Sequence, residues 1–197
     1  MQEYQGQIRH AAILSDPRAN VADMLITTFT ELRTERLVLR PLREEDRQAM
    51  VDIHTDPRTN RFNPAPPDVA TFSEVYTGWL AHWAEHGFGY LAVTEPGGTE
   101  VLGVTGVRFR EFHGERVLNL AYRYRPSAWG KGYAVEAAGA VMDWCAGKLP
   151  GVPVLASITV TNKPSLRVAE RLGFTDYILE DYDGAPSRHY RRTPTTE

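Results

Sequence analysis

The 197-residue chain has a single cysteine, Cys145, so no disulfide can form within it. This is typical of proteins from a reducing compartment, and we expect a cytoplasmic protein. No apolar run approaches the roughly 20 residues that a membrane-spanning helix requires, and residues 1–30 lack the apolar segment of a signal peptide. The net charge is −3, so no overall positive field attracts nucleic acid. We therefore expect neither a membrane nor a nucleic acid as partner, and no group of residues predicts a metal site.

A hydrophobic content of 42% is sufficient for a sizeable core, and the length suits one domain with an extension. Residues 1–30 are polar with scattered apolar positions, which allow a short helix around 21–28. We predict an N-terminal extension over 1–30 and a folded domain over 31–193.

Hydrophobic spacing predicts four helices and about seven strands in the domain. Apolar residues spaced three and four apart mark the helix that begins after Asp68, and this spacing favours core positions for Trp79 and Trp83. The predicted strands are 32–40, 90–94, 101–109, 117–125, 154–160, 175–180 and 188–192; the other helices are about 44–55, 133–148 and 162–172. Since 117–160 reads as strand–helix–strand and the rest as hairpins, we predict a mixed α/β (α+β) fold. Its sheet is mostly antiparallel, with about six to seven strands and about four flanking helices.

The run W-G-K-G-Y-A-V-E, residues 129–136, lies between a strand and a helix. Gly130 and Gly132 allow sharp bends and close approach of a ligand to the backbone. A helix start also presents unpaired N–H groups, so the amides from Gly130 to Ala134 could hold a pyrophosphate, with Lys131 as a mobile counter-charge. The alternative is a glycine turn that only starts a helix. The run is neither a Walker loop nor a dinucleotide fingerprint.

A second run, T-N-K-P-S followed by L-R-V-A-E-R-L-G-F, covers residues 161–174. Asn162 is typical of a helix N-cap and Pro164 of a first turn, while Gly173 suits the left-handed residue after the helix. The hydroxyl of Ser165 would lie at the same end of the sheet as the glycine run. A purely structural role for this segment remains an alternative.

Together these runs, with T-E-R-L-V-L-R-P-L near residue 40, resemble the GNAT superfamily of acyl-CoA-dependent N-acetyltransferases. The similarity extends from about Leu32 to Arg192, and the nearest branch is that of the ribosomal-protein N-terminal acetyltransferases. The resemblance implies the GNAT fold, with a splayed parallel pair of strands that binds acetyl-CoA. It also implies transfer of the acetyl group to a primary amine by direct attack on the thioester.

The resemblance also assigns residues. Asn162 would bond the pantetheine arm, and Ser165 would protonate the departing thiolate, although its hydroxyl could instead bond its own backbone. A backbone N–H in the 120–123 stretch would stabilise the oxyanion. Further catalytic candidates are Tyr122, a pocket aromatic next to the thioester, and Asn119. The implied cofactor-binding residues are Leu120, Ala121, Tyr122, Arg123, Tyr124, Trp129, Gly130, Lys131, Gly132, Tyr133, Ala134, Asn162 and Ser165.

Two positions depart from the family pattern. Ser127 stands where an arginine or glutamine often faces a phosphate, and Asn119 stands where a glutamate often helps to deprotonate the amine. The base is therefore undetermined; the candidates are Glu111, His113, Glu115, Asp181 and His189, each of which could be an ordinary surface residue. The aromatic candidates for an acceptor pocket are Trp79, Trp83, Phe88, Tyr122 and Tyr124, and the Pro-rich loop 63–67 lies where the acceptor groove of the family tends to be.

Several alternatives stay open from the sequence. Asn119 allows a catalytically inactive acyl-CoA-binding module, and the glycine loop alone allows a generic nucleotide-binding domain. The acyl donor could differ from acetyl-CoA, the acceptor could be a protein N-terminus or a small molecule, and the protein could be a monomer or a homodimer. Cys145 lies on the core face of its helix and is not expected to act as a nucleophile.

Overall fold

A computed structural model describes residues 29–195, which form one eight-stranded sheet flanked by four α-helices. The strands are β1 (Leu32–Arg33), β2 (Val38–Pro41), β3 (Tyr90–Thr94), β4 (Gly103–Phe112), β5 (Glu115–Tyr124), β6 (Val154–Thr159), β7 (Tyr177–Tyr182) and β8 (Ala185–Arg192). The helices are α1 (Arg47–Thr55), α2 (Val69–His86), α3 (Tyr133–Lys148) and α4 (Lys163–Arg171). The strand order is β1-β2-β3-β4-β5-β6-β8-β7, and β5–β6 is its one parallel pair. The predicted fold class is confirmed; the predicted helix around 21–28 lies outside the described residues.

The sheet has one strand more than the predicted six to seven, because the predicted strand 32–40 is two strands. The amide of Thr34 donates to the carbonyl of Leu37 at 2.9 Å, which turns the chain between β1 and β2. Leu32 thereby pairs with Leu39 in an antiparallel hairpin. The turn contains no glycine, proline or asparagine, so the usual sequence signal for a turn was missing.

Helix ends follow the local chemistry that the sequence predicts. The carboxylate of Asp68 accepts from the amide of Thr71 at 2.7 Å and caps α2, which ends at left-handed Gly87. At the end of α4, Gly173 has a φ of +79°, and the amide of Phe174 donates back to the carbonyl of Ala169 at 3.0 Å. These bonds satisfy backbone groups that a helix end leaves unpaired.

The core lies on both faces of the sheet. One face packs against α3 and α4, and buries Cys145, as predicted. Burial raises the pKa of that thiol to about 12, which keeps it protonated. The other face packs against α1 and α2, where Trp79 is buried as predicted, while Trp83 is half-buried between the two clusters. Phe29 also packs into the α3 face against Trp144, although we assigned it to the extension; the boundary at residue 31 stays a prediction.

The parallel strands β5 and β6 separate soon after they meet. Only Leu118 with Val154 and Asn119 with Leu155 are paired in register. Beyond Asn119, β5 still pairs with β4 as far as Tyr124, but on its other side it has no partner strand in the described part of the chain. A cleft therefore opens in the middle of the sheet, between the ends of β5 and β6.

No helix within residues 29–195 is long and apolar enough to cross a bilayer.

Candidate active site

Two cavities open at the split between β5 and β6. The first has a volume of about 460 Å³ and lies towards the start of α3, and the second has a volume of about 340 Å³ and lies towards α1 and α2. Six of the described residues line both cavities: Thr59, Phe62, Tyr122, Arg123, Asn162 and Ser165. We call these six residues the junction. A ligand in one cavity can therefore touch a ligand in the other at the end of the split.

The glycine run forms the wall of the first cavity where α3 begins. Gly130 and Gly132 have φ values of +76° and +81°, a region that side-chain-bearing residues rarely adopt. No side chain of the described residues caps this helix start. The amides of residues 130–134 make no hydrogen bond to another described residue, so they are available to an anion.

Arginines surround the rest of the first cavity. Arg58, Arg61, Arg167 and Arg171 line it, and no aspartate or glutamate of the described chain does. Arg58 pairs with Asp56 at 2.6 Å, while the guanidinium of Arg61 lies 5.2 Å from the ring centre of Trp129. The predicted residues Tyr122, Arg123, Tyr124, Trp129, Tyr133 and Ala134 also line this cavity. A polyanionic ligand is favoured here by charge.

Three of the predicted cofactor-binding residues do not line the first cavity. Lys131 lines neither cavity, and its ammonium lies 5.7 Å from the ring centre of Tyr133. Leu120 and Ala121 line the second cavity and not the first. The reason is the position of the split, since Leu120 and Ala121 lie directly beyond the last β5–β6 pair.

An ion pair that the sequence analysis missed holds the glycine run. The guanidinium of Arg36, in the β1–β2 turn, donates to the carboxylate of Glu136 at 2.5 and 2.8 Å and to the carbonyl of Lys131 at 3.0 Å. Glu136 also accepts from the hydroxyl of Thr34 at 2.6 Å. Burial alone would raise the pKa of Glu136, but the bonds from Thr34 and Arg36 outweigh it and lower that pKa. The glycine run is thus held by the turn between the first two strands of the domain.

At the junction, Asn162 and Tyr122 position Ser165. The side-chain oxygen of Asn162 accepts from the amide of Ser165 at 3.2 Å, which confirms its place as helix N-cap. The hydroxyl of Tyr122 donates to the carbonyl of Ser165 at 3.0 Å, across the cleft from β5 to α4. Burial raises the pKa of Tyr122, although an interaction with the side chain of Ser165 opposes this shift. Ser165 lines both cavities, so its hydroxyl is within reach of a ligand at the junction.

Asn119 lies in the wall of the second cavity. Its amide nitrogen donates to the hydroxyl of Tyr90 at 2.7 Å, and its oxygen accepts from Arg110 at 3.3 Å. Both ends of the side chain are therefore occupied, and an amide has no proton-accepting site comparable to a carboxylate. Asn119 positions neighbours in the cavity wall and does not have the chemistry of a general base.

His54 also lines the second cavity and was not predicted. Its Nδ1 contacts the carbonyl of Met50 at 2.9 Å, so Nδ1 carries the proton, and the ring stacks on Phe72 at 4.1 Å between centroids. Burial, followed by repulsion from Arg123, lowers the pKa of His54 to about 3. The imidazole is therefore neutral at physiological pH.

None of the five predicted base candidates lines the second cavity. Glu115 pairs with Arg191 at 2.7 Å, and His113 contacts Glu180 at 2.9 Å on the surface. His189 is buried and contacts the hydroxyl of Ser157, which does line the cavity, at 2.9 Å. Its pKa is lowered by burial.

The predicted aromatic residues divide between pocket and core. Tyr122 lines both cavities, Tyr124 the first and Trp79 the second. Trp83 and Phe88 line neither, because the indole of Trp83 donates to the carbonyl of Tyr90 and Phe88 is 1% exposed. From the Pro-rich loop, Asn63 and Pro64 do line the second cavity. No group of three or more potential metal-ligating side chains occurs in the described range.

A mixed sheet whose parallel pair splits beside a glycine loop is the arrangement that the resemblance to acyl-CoA-dependent N-acetyltransferases leads us to expect. The family model "Acetyltransferase (GNAT) domain" matches residues 36–175, and the chain therefore belongs to the GNAT acetyltransferase family. Among curated proteins it is 31% identical over 158 residues to the uncharacterized protein YkkB of Bacillus subtilis, covering 73% of this chain and 84% of YkkB. An acetyltransferase structure from Agrobacterium tumefaciens is 32% identical with a TM-score of 0.72, covering 85% of this chain and 96% of that one.

More distant structures share the fold. RimJ of Mycobacterium smegmatis in complex with CoA-disulfide has a TM-score of 0.66 at 21% identity, over 84% of this chain and 88% of that one. A ribosomal-protein-S5-alanine acetyltransferase from Vibrio fischeri has a TM-score of 0.66 at 15% identity, over 84% of this chain and 97% of that one. The predicted family is confirmed, and in fold the chain resembles the ribosomal-protein branch.

Proposed function

We propose that the protein transfers an acetyl group from acetyl-CoA to a primary amine. The observation that carries this proposal is the junction, where two cavities of different chemistry meet at Tyr122, Asn162 and Ser165. One cavity suits a long polyanionic donor and the other a small acceptor. Such an arrangement brings two substrates into contact, which is the main requirement for direct group transfer.

The first cavity fits coenzyme A. The free amides of residues 130–134 suit a pyrophosphate, and Arg167 and Arg171 add positive charge. The open edge of β5 offers backbone groups to an extended amide-containing arm, which would add to the sheet like a strand. That RimJ of the same fold was solved with CoA-disulfide supports this assignment. Asn162 would complete the site, because its side-chain nitrogen remains available to an amide of that arm.

At the junction, the chain supplies groups for each charge that develops. Acetyl-CoA brings the thioester, and backbone N–H groups on the open edge of β5 would donate to the oxygen that becomes negative. As the C–S bond breaks, the hydroxyl of Ser165 would donate its proton to the departing sulfur, and the proton that the attacking nitrogen loses as the amide forms would restore that hydroxyl. Tyr122 holds the backbone of Ser165 through its bond to that carbonyl, so its role is to position Ser165.

The amine has to reach the thioester uncharged. Among residues 29–195, no glutamate lines the second cavity, and the one carboxylate that does is that of Asp183. The pKa of its histidine, His54, is about 3. We infer that water carries the proton from the amine to bulk solvent. The two oriented hydroxyls of Ser157 and Tyr90 in the cavity wall are suited to hold such a water.

The test is a transfer assay with acetyl-CoA and a panel of primary amines, in which thiol release and the mass of the product are measured. Amine-dependent thiol release with a product 42 Da heavier, the mass that an acetyl group adds, is the expected result. Tight acetyl-CoA binding without turnover of any amine would instead indicate the inactive binding module that Asn119 allows. Calorimetry with CoA and ATP separates a generic nucleotide site, since ATP lacks the arm that pairs with β5. Propionyl-CoA tests whether the acyl donor is restricted to acetyl.

A further inference from the structure

Cations dominate the second cavity. Arg108 of β4 and Arg123 of β5 line it, while Asp183 is the only acidic residue of the described chain that does. His54 adds no charge, since its pKa is about 3. A third arginine, Arg110, contacts the oxygen of Asn119 in the cavity wall. This is an unfavourable environment for a polycation and a favourable one for a ligand that carries a negative group.

Arg108 differs from the neighbouring arginines in its contacts. The guanidinium of Arg123 donates to the side chain of Asn60 at 2.6 Å, and that of Arg110 lies 4.7 Å from the ring centre of Tyr182. Arg108 makes no hydrogen bond or ion pair with any residue in the range 29–195, and its Nε is buried without a partner. Its guanidinium lies 5.8 Å from the ring centre of Tyr90. A buried donor left unpaired is costly, which indicates that a ligand supplies the missing acceptor.

The register of the sheet directs Arg108 towards the reaction site. Arg108 is the direct cross-strand partner of Asn119, the last β5 residue before the split. Residues that pair across neighbouring strands share one face of a sheet. Arg108, Asn119 and, two positions further along β5, Ala121 thus form a row on the acceptor side that leads to the junction residue Arg123.

We propose that the acceptor is a small primary amine that also carries a carboxylate, and that Arg108 binds this carboxylate. The inference rests on the proposed function and names its substrate class. A guanidinium offers parallel N–H donors that match a carboxylate in a bidentate pair. A volume of about 340 Å³ suits an amino acid or a similar molecule. With its carboxylate on Arg108, such a molecule would direct its amine towards the junction.

The test compares amino acids with their carboxamides as acceptors in steady-state kinetics with acetyl-CoA. Rates are expressed per concentration of free-base amine, so that the different amine pKa values do not enter. The wild-type protein should favour the carboxylate over the carboxamide by about 10- to 100-fold in kcat/KM, mainly through KM. Spermidine, a polycation, should be a poorer acceptor than the carboxamides.

Three variants sharpen the test. In Arg108→Gln the ratio of carboxylate to carboxamide should fall towards one, and in Arg108→Glu it should invert. Arg116→Gln is the matched control, because Arg116 belongs to the same β4–β5 hairpin but is exposed and lines neither cavity. It should keep the wild-type ratio. A thermal unfolding curve for each variant shows whether it is folded.

A second readout separates this inference from the proposed function. Calorimetry with CoA-bound protein should show weaker binding of the amino acid to Arg108→Gln than to the wild type. Turnover without a preference for carboxylates, or a preference that survives Arg108→Gln, would overturn the inference and leave acetyl transfer intact. Equal losses of kcat/KM with carboxylate and carboxamide acceptors in Arg108→Gln would also overturn it, because Arg108 would then act on the thioester and not on the carboxylate of the acceptor. Carboxylate binding without turnover would overturn the proposed function alone.

Discussion

The two cavities are built in different ways. The first relies on backbone: free amides at the start of α3, two glycines with positive φ, and the open edge of β5. The second relies on side chains from separate segments, among them His54 of α1, Arg108 of β4 and Asn119 of β5. Backbone groups are the same in every sequence that adopts the fold, whereas side chains vary. In the proposed function, the first cavity is the donor half and is suited to one common substrate, and the second is the acceptor half and would carry what is specific to this protein.

The largest effect should come from Gly130→Val in the donor half. Valine at a φ of +76° strains the loop and moves the amides that the pyrophosphate needs. Since each hydrogen bond to a charged group contributes about 1.5–3 kcal/mol, loss of two should weaken CoA binding by more than about 100-fold. Titration calorimetry measures the dissociation constant of CoA in the variant and in the wild type.

Gly97→Val is the matched control, because Gly97 has a φ of +72° and equally open space in a turn that lines neither cavity. It should bear similar local strain and bind CoA as the wild type does. Equal CoA affinity in both variants would contradict the pyrophosphate site.

Next in size is Ser165→Ala at the junction. Without a proton donor for the leaving sulfur, kcat should fall by about 100-fold. The dissociation constant of CoA should change less than about twofold, because the hydroxyl is one contact among many. Ser127→Ala removes an exposed hydroxyl near the glycine run and should alter neither quantity. An unchanged kcat in Ser165→Ala would rule out the proton-donor role.

His54 should make the acceptor half sensitive to acid. Its pKa is about 3 in the folded protein against an ordinary value of 6.5, so below pH 6.5 the unfolded chain binds a proton that the folded one does not. The free energy of unfolding therefore decreases as the pH falls, and His54 accounts for a decrease of about 2 kcal/mol between pH 7 and pH 5. Urea unfolding of the wild type and His54→Asn at both pH values isolates the contribution, since other titrating groups are common to both. Identical losses of unfolding free energy in the wild type and in His54→Asn would show that His54 is not buried in its neutral form.

The smallest expected effect is that of Arg36→Gln, which removes the ion pair with Glu136 and the bond to the carbonyl of Lys131. The pair is partly exposed and contributes about 1 kcal/mol, so CoA affinity should fall by about fivefold through a looser glycine run. Arg33→Gln is the control, because within the described chain Arg33 forms an ion pair with the nearby Glu31 and with no other residue. If both variants bind CoA equally, the tie between the β1–β2 turn and α3 has no role in binding.

The contrast between the cavities also decides what could be predicted from sequence. The glycine run, the Asn162 cap and the crossover depend on residues close together in the chain, whose backbone preferences are local. The sequence predicts all three at the positions where the structure has them. The role of Lys131 as a mobile counter-charge stays a prediction; in the structure its ammonium lies 5.7 Å from the centre of the Tyr133 ring.

The acceptor half could not be predicted in the same way. Whether Arg108 enters the cavity depends on the β4–β5 register, and the bond from Tyr122 to Ser165 joins residues 43 positions apart. His54 belongs to a helix whose other buried residues are ordinary apolar ones. Nothing in the local pattern distinguishes such side chains from core or surface residues. The split of the first strand was missed for a related reason, since the turn is held by a backbone bond between Thr34 and Leu37.

The most direct test of the two-cavity account is a crystal structure of the protein with acetyl-CoA. We expect the pyrophosphate within hydrogen-bonding distance of the amides of residues 130–134, the arm along the open edge of β5, and the sulfur next to the hydroxyl of Ser165. The second cavity should remain accessible from the junction. A donor bound with its sulfur away from Ser165, or a pyrophosphate held elsewhere, would contradict the account.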